Sequence, residues 1–138
     1  MKVLAIVQAR MGSTRLPNKV MREVDGIPLI ELLLTRLSQS TAIDQIILAT
    51  SIDSKNIPLV RHVESLGYQS FQGSENDVLE RFYVAAQQFA GDIIIRITGD
   101  CPLIDPQLVD EAIHKFKTGD VDYPVSYTHL TLPTNREV

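Results

Sequence analysis

Residues 3–19 read VLAIVQARMGSTRLPNK. Val3 to Val7 is a continuous apolar run of strand length, the pattern of a strand buried on both faces. It leads straight into a polar loop, Gln8–Lys19, that carries Gly12, the hydroxyls of Ser13 and Thr14, and the cations Arg10, Arg15 and Lys19. From Met1 to Arg22 there are five basic residues and no acidic one, whereas the whole chain has 13 basic against 17 acidic. A local positive loop in an acidic protein points to a small anionic ligand such as a phosphate ester. Gly12 allows the backbone to approach an oxyanion, Arg15 can clamp phosphate oxygens in pairs, and Lys19 acts as a mobile point charge. The spacing is neither that of a P-loop nor that of the three-glycine dinucleotide fingerprint.

The rest of the chain alternates strand and helix. The apolar pattern predicts strands at Val3–Ala9, Gln45–Thr50, Gln69–Phe71 and Asp92–Thr98. It predicts helices at Pro28–Ser38, Pro58–Leu66 and Pro106–Lys117, with Pro28 in a first turn and Gly67 as a C-terminal stop. A fourth helix is expected after Ser74 as its cap, with Val78, Leu79, Phe82, Tyr83, Ala86 and Phe89 on its apolar spacing. Asp105 before Pro106 reads as a cap, with Ile104 and Val109 as a hydrophobic staple. Apolar strands separated by amphipathic helices imply an α/β fold with a mostly parallel sheet covered on both faces. Ligands in such sheets bind beyond the carboxyl ends of the strands. Three polar loops leave those ends, Arg10–Lys19, Ser51–Lys55 and Gly99–Asp105, which brings the basic loop and Asp100 to one rim.

Several function classes are excluded or disfavoured. A length of 138 residues suits one domain, and a net charge of −4 argues against a nucleic-acid or membrane-surface binder. No apolar run reaches the length of a membrane span, and the first run is too short for a signal peptide. Cytoplasm is the expected location. A single cysteine, Cys101, excludes an internal disulfide. It has no base partner in the sequence and reads as a packed residue; His62 and His114 read as surface residues.

Two further candidate positions keep two readings each. Asp100, in TGDCP after a buried strand, is placed either to hold magnesium beside phosphate oxygens or to cap a turn before Pro102. The stretch Gly73–Asp77 with Arg81 is either an anion- or base-binding helix start or an ordinary capping box. Arg96, a charge within a buried strand, requires a partner.

Three motifs, QARMGSTRLPNK at 8–19, GSENDVLERF at 73–82 and RITGDCPLIDP at 96–106, together resemble the spore-coat polysaccharide cytidylyltransferase (SpsF-like) family, a relative of the CMP-sugar-acid synthetases. The resemblance implies a Rossmann-like three-layer sandwich of nucleotide-diphospho-sugar transferase type. It implies that CTP and a sugar or sugar acid react, with Mg2+ assisting, to give a nucleotide-sugar and pyrophosphate. Carried over, Arg10, Ser13, Arg15 and Lys19 bind the triphosphate, and Ala9, Met11 and Gly12 contact the nucleotide through their backbone. Asp100 holds the metal, and Arg15, Lys19 and Asp100 act in catalysis. Ser74, Asp77 and Arg81 lie near the nucleotide or sugar. A homodimer is implied for the full-length protein. Two other functions are a non-catalytic nucleotide-binding domain and a glycosyltransferase of similar fold. The latter expects an Asp-x-Asp motif after a strand, and Asp120-Val121-Asp122 follows a helix.

Residues 125–134, VSYTHLTLPT, match residue for residue the translation of a transposase sequencing adapter. Residues 125–138 are therefore expected to be a non-native tail, and residues 1–124 the N-terminal part of a C-terminally truncated nucleotidyltransferase domain. The second metal-binding acid and the sugar-recognition elements that the resemblance implies would then lie in sequence not present here. The other reading of the tail is a natural edge strand, Val125–Leu132, ended by Pro133.

Overall fold

A computed structural model describes residues 2–11, 19–99 and 104–118, with Lys19 by its backbone alone, and the backbone of 125–126 and 130–131. Strand β1, Val3–Gln8, lies at the centre. A hairpin follows, β2 (Glu23–Val24) and β3 (Ile27–Pro28), and then helix α1, Leu29–Leu37. Next come β4 (Gln45–Ser51), α2 (Ile57–Ser65), β5 (Gln69–Gly73) and α3 (Val78–Gln88). Strand β6 (Ile93–Thr98) and α4 (Pro106–Thr118) complete the body, with β7 (Val125–Ser126) and β8 (Leu130–Thr131) beyond them.

The sheet order is β5-β4-β1-β6-β8-β7. The first four strands are parallel, and β8 and β7 add antiparallel at one side through the Arg96↔Thr131 pair. The rest of the stretch 125–138 lies outside the described residues. Alternation along β1 divides the core. Val3, Ala5 and Val7 pack with α1, α2 and α4, through Leu33, Leu37, Leu59, Val63, Val109 and Ile113. Leu4 and Ile6 pack on the other face with Phe82 and Ala85 of α3. The chain is thus an α/β three-layer sandwich around a mostly parallel, Rossmann-like sheet, as expected. No helix among the described residues is long and apolar enough to cross a membrane.

Four local expectations need correction. The hairpin was not anticipated; its turn is Asp25-Gly26, with φ of 54° and 83°, the paired positive values that a two-residue hairpin turn needs. Pro28 closes β3 and stands just before α1 instead of within its first turn. Asp77, not Ser74, caps α3, accepting from the Glu80 amide at 2.9 Å, while Ser74 Oγ accepts from the Asp77 amide at 3.0 Å one step upstream. That start rotates α3 so that Arg81, Phe82 and Ala85 face the sheet, leaving Leu79 71% and Tyr83 57% exposed.

Candidate functional site

The strand order reverses at β1. The chain runs outward through β4 and β5, then returns to β6 on β1's other side. That reversal opens a crevice at the carboxyl ends of β1 and β6, the place where such sheets bind ligands. The two ends are locked together. The Gly99 amide donates to the Gln8 carbonyl at 2.8 Å, and a Cβ on Gly99 would meet Ala9 Cβ at 2.6 Å. A side chain there would push β6 off β1, so the residue preceding Asp100 must be small.

The basic loop is anchored at both ends. Ala9 and Met11 are buried, and Arg10 between them is exposed. The Ala9 amide donates to the Ala49 carbonyl at 3.2 Å and the Met11 amide to Asn56 Oδ1 at 2.8 Å. On the far side a 3-10 turn, Lys19–Met21, buries Val20 in the same core. Gly12, Ser13, Arg15 and Asp100 lie outside the described residues, as does the side chain of Lys19. Past Asp100 the chain is held where it is next described. Arg36 Nε donates to the Ile104 carbonyl at 2.9 Å, and Asp105 caps α4 by accepting from the Gln107 amide at 2.9 Å. Ile104 and Val109 are both buried in one core, as their staple pairing predicts.

At the carboxyl end of β5, the Gly73–Asp77 turn is fastened by Arg81, whose Nη1 donates to the Ser74 carbonyl at 2.9 Å. Arg81 packs over Gly73, where a Cβ would meet its Cγ at 2.9 Å. Arg81 is 5% exposed. Burial, and then Arg10 and Arg96, hold its guanidinium below the ordinary arginine pKa, against the upward pull of Glu75. Arg96 places its guanidinium 5.9 Å from the Phe82 ring centroid, a cation–π contact that answers the question of its partner. Glu75, Arg10 and Arg96 all act electrostatically on Arg81. The buried Gln8 Nε2 and Arg81 Nε find no acceptor among the described residues. Buried donors are rarely left so; together they favour a ligand rich in acceptors.

Sequence reasoning placed Gln8 and Ser51 in rim loops without giving either a role, and missed Asn56. The polar stretch Ser51–Lys55 was read as part of the rim but stopped one residue short of Asn56, which is 2% exposed. Asn56 Nδ2 donates to Ser51 Oγ at 2.7 Å, and Ser51 Oγ donates to Glu75 Oε2. Hydrogen bonds thus join the entry to the basic loop, at Met11, to the turn that holds Ser74 and Asp77. His62 is half-buried and pairs with Glu31 at 3.0 Å between α2 and α1, and His114 is exposed. No three His, Cys, Asp or Glu side chains among the described residues come together as a metal site.

Comparison with known proteins gives a consistent result. The cytidylyltransferase family profile matches residues 4–137. The spore coat polysaccharide biosynthesis protein SpsF of Bacillus subtilis is 39% identical over 125 residues, covering 88% of this chain and 52% of that protein. The 3-deoxy-manno-octulosonate cytidylyltransferase of Chloroherpeton thalassium is 35% identical over 118 residues, covering 84% of this chain and 46% of that protein. The solved structure of a cytidylyltransferase from Leptospira borgpetersenii superposes with a TM-score of 0.82 at 36% identity, covering 86% of this chain and 50% of that one. The chain spans about half the length of the relatives it matches.

Proposed function

Because the chain belongs to the cytidylyltransferase family, we propose that it carries the nucleotide half of a site that transfers CMP from CTP to a sugar acid. The observation that carries this reading is the pair of buried donors without an acceptor toward the carboxyl ends of the strands, Gln8 Nε2 at the end of β1 and Arg81 Nε behind the turn that follows β5. Cytosine offers two acceptors, O2 and N3, on its pairing edge, and the ribose and phosphates add more. Arg81, with Ser74 and Asp77, faces the base and ribose; Arg10, Ser13, Arg15 and Lys19 take the phosphates; Ala9, Met11 and Gly12 contribute backbone. A sugar oxygen attacks the α-phosphorus, its bond to pyrophosphate breaks, and the leaving group departs with the electron pair. Such a transfer needs alignment and charge neutralisation more than covalent help from the protein. Arg15 and Lys19 neutralise the departing pyrophosphate.

Magnesium suits the donor set, since it takes one or two carboxylates and completes its shell with phosphate oxygens and water. Asp100 is the residue that would hold it, directly after the Gly99 contact with β1. When bound, the ion would supply charge neutralisation on the phosphate oxygens. A sugar acid as acceptor is supported by the Chloroherpeton relative, whose substrate is one, and use in a surface polysaccharide by the B. subtilis relative.

Calorimetric titration of the chain with CTP, UTP, ATP and GTP in magnesium buffer tests the reading. CTP-selective binding is expected. Equal affinity for all four, or none for any, overturns it. Pyrophosphate release on adding 3-deoxy-manno-octulosonate and related acids then reports the chemical step.

A further inference from the structure

Asn56 sits at the end of a 3-10 turn, Ser54–Asn56, whose own cap is Asp53, accepting from the Lys55 amide at 2.9 Å. A local turn needs nothing from the Asn56 side chain. That side chain instead reaches 45 positions back along the sequence to accept from the Met11 amide at 2.8 Å. Its other end donates to Ser51 Oγ at 2.7 Å and to the Ser51 carbonyl at 3.3 Å. Ser51, fully buried, passes the connection on to Glu75. The neighbouring backbone is tied in the same sense, with the Ile52 amide donating to the Gly73 carbonyl at 2.9 Å. Both polar atoms of the Asn56 amide group are thus engaged, Oδ1 across 45 positions to Met11 and Nδ2 within its own loop to Ser51, and a satisfied buried network of this kind fixes one geometry among several possible ones.

We propose that Asn56 is a positioning residue for the nucleotide site. It fixes the Met11 amide, and with it the direction in which the chain enters the basic loop. Through Ser51 and Glu75 it registers the start of that loop, at Met11, against the Gly73–Asp77 turn. The phosphate-binding and base-binding parts are thereby held at a set separation, so that one nucleotide engages both. Small misplacements between such parts are costly to catalysis and binding alike. The inference rests on the nucleotide reading above.

The test compares CTP with cytidine. Affinities of the wild type and of Asn56→Ala are measured by calorimetry in one magnesium buffer, well below each protein's unfolding midpoint. CTP affinity is expected to fall about tenfold or more, as for loss of the partner of a buried donor. Cytidine affinity is expected to hold within roughly threefold, because the base-side contacts remain. Equal losses for the two ligands, or no loss for either, overturn the proposal and leave the nucleotide reading standing. A wild type that binds neither removes the reading and the proposal together. Should Asn56→Ala not fold, Ser51→Ala is read instead. It leaves the Met11 bond and the bond to the Ser51 carbonyl but removes the links through Ser51 Oγ to Asn56 and Glu75, and a smaller loss confined to CTP is expected. An unchanged CTP-to-cytidine ratio in that variant overturns the proposal.

Discussion

Gly99 and Ala9 stand so close that a Cβ on the glycine would lie 2.6 Å from the alanine's own Cβ. The Gln8 carbonyl, 3.1 Å from the same point, limits escape in another direction. Gly99→Ala is expected to destabilise the chain by about 1–3 kcal/mol, the usual cost of overpacking. Combining it with Ala9→Gly removes one of the two colliding atoms, so the double variant should recover part of the loss. Urea denaturation of the four proteins gives the coupling energy, and simple additivity would show that the contact is relieved in some other way.

Asp110 of α4 holds the chain that follows α1. It accepts from Ser40 Oγ, from the Thr41 amide at 3.1 Å and Thr41 Oγ1 at 3.0 Å, and from the Ala42 amide at 3.2 Å. Burial pushes its carboxyl upward, but the bonds from Ser40, Thr41 and Ala42 outweigh this and hold its pKa below the ordinary aspartate value. A carboxyl depressed by folding contributes stability that is complete above its unfolded pKa and is lost as pH falls through the lower folded value. Asp110→Asn should therefore be less stable than wild type by about 1–2 kcal/mol at neutral pH. The gap should narrow as the solution is acidified below pH ~4. An undiminished gap at the acid end would mean that ionisation is not what the site uses.

Ala90 follows α3 with φ of 55°, a left-handed conformation that costs a residue with a Cβ about 1–2 kcal/mol. Ala90→Gly removes that strain and gives back some of the gain by loosening the unfolded chain. A net rise in stability of about 0.5–1 kcal/mol is expected, visible as a higher melting temperature. A lower one would show that the alanine methyl makes a packing contribution larger than the strain.

Lys19→Ala should weaken CTP binding by tenfold or more while leaving cytidine binding near its original value, as removal of a phosphate-directed charge requires. Asp100→Ala should abolish the magnesium dependence of CTP affinity. Titrations with and without chelator check both, and parallel losses for CTP and cytidine would place Lys19 away from the phosphates.

Much of this architecture was legible in the sequence because apolar runs of strand length announce themselves. Val3–Val7, Ile46–Leu48 and Ile93–Ile95 each became a parallel strand, and their carboxyl ends set out the rim on which the basic loop begins. What the pattern could not supply was rotation. Leu79 and Tyr83 fit helical spacing as well as Phe82 does, but the Asp77 cap and the inward bond of Arg81 decided which stripe meets the sheet. The Asn56–Met11 bond was illegible for another reason. It joins residues 45 apart, and local composition carries no trace of such a pairing. Asp25-Gly26 was legible in principle, being the dipeptide that a tight hairpin turn favours, but its strands are two residues long and leave no alternation to read.

The central strand is synthesised well before the neighbour that completes its pairing. Lys2 and Asp92 meet across a separation of ninety residues, and β1 pairs along its whole length with β6. At about 5–20 residues per second, the ribosome delivers β1 several seconds before its second neighbour exists. During that interval Val3 to Val7 is an apolar strand with one side unpaired, the kind of edge on which nascent chains associate. The crevice between β1 and β6 is therefore completed only when β6 emerges, the strand that also closes this period of vulnerability.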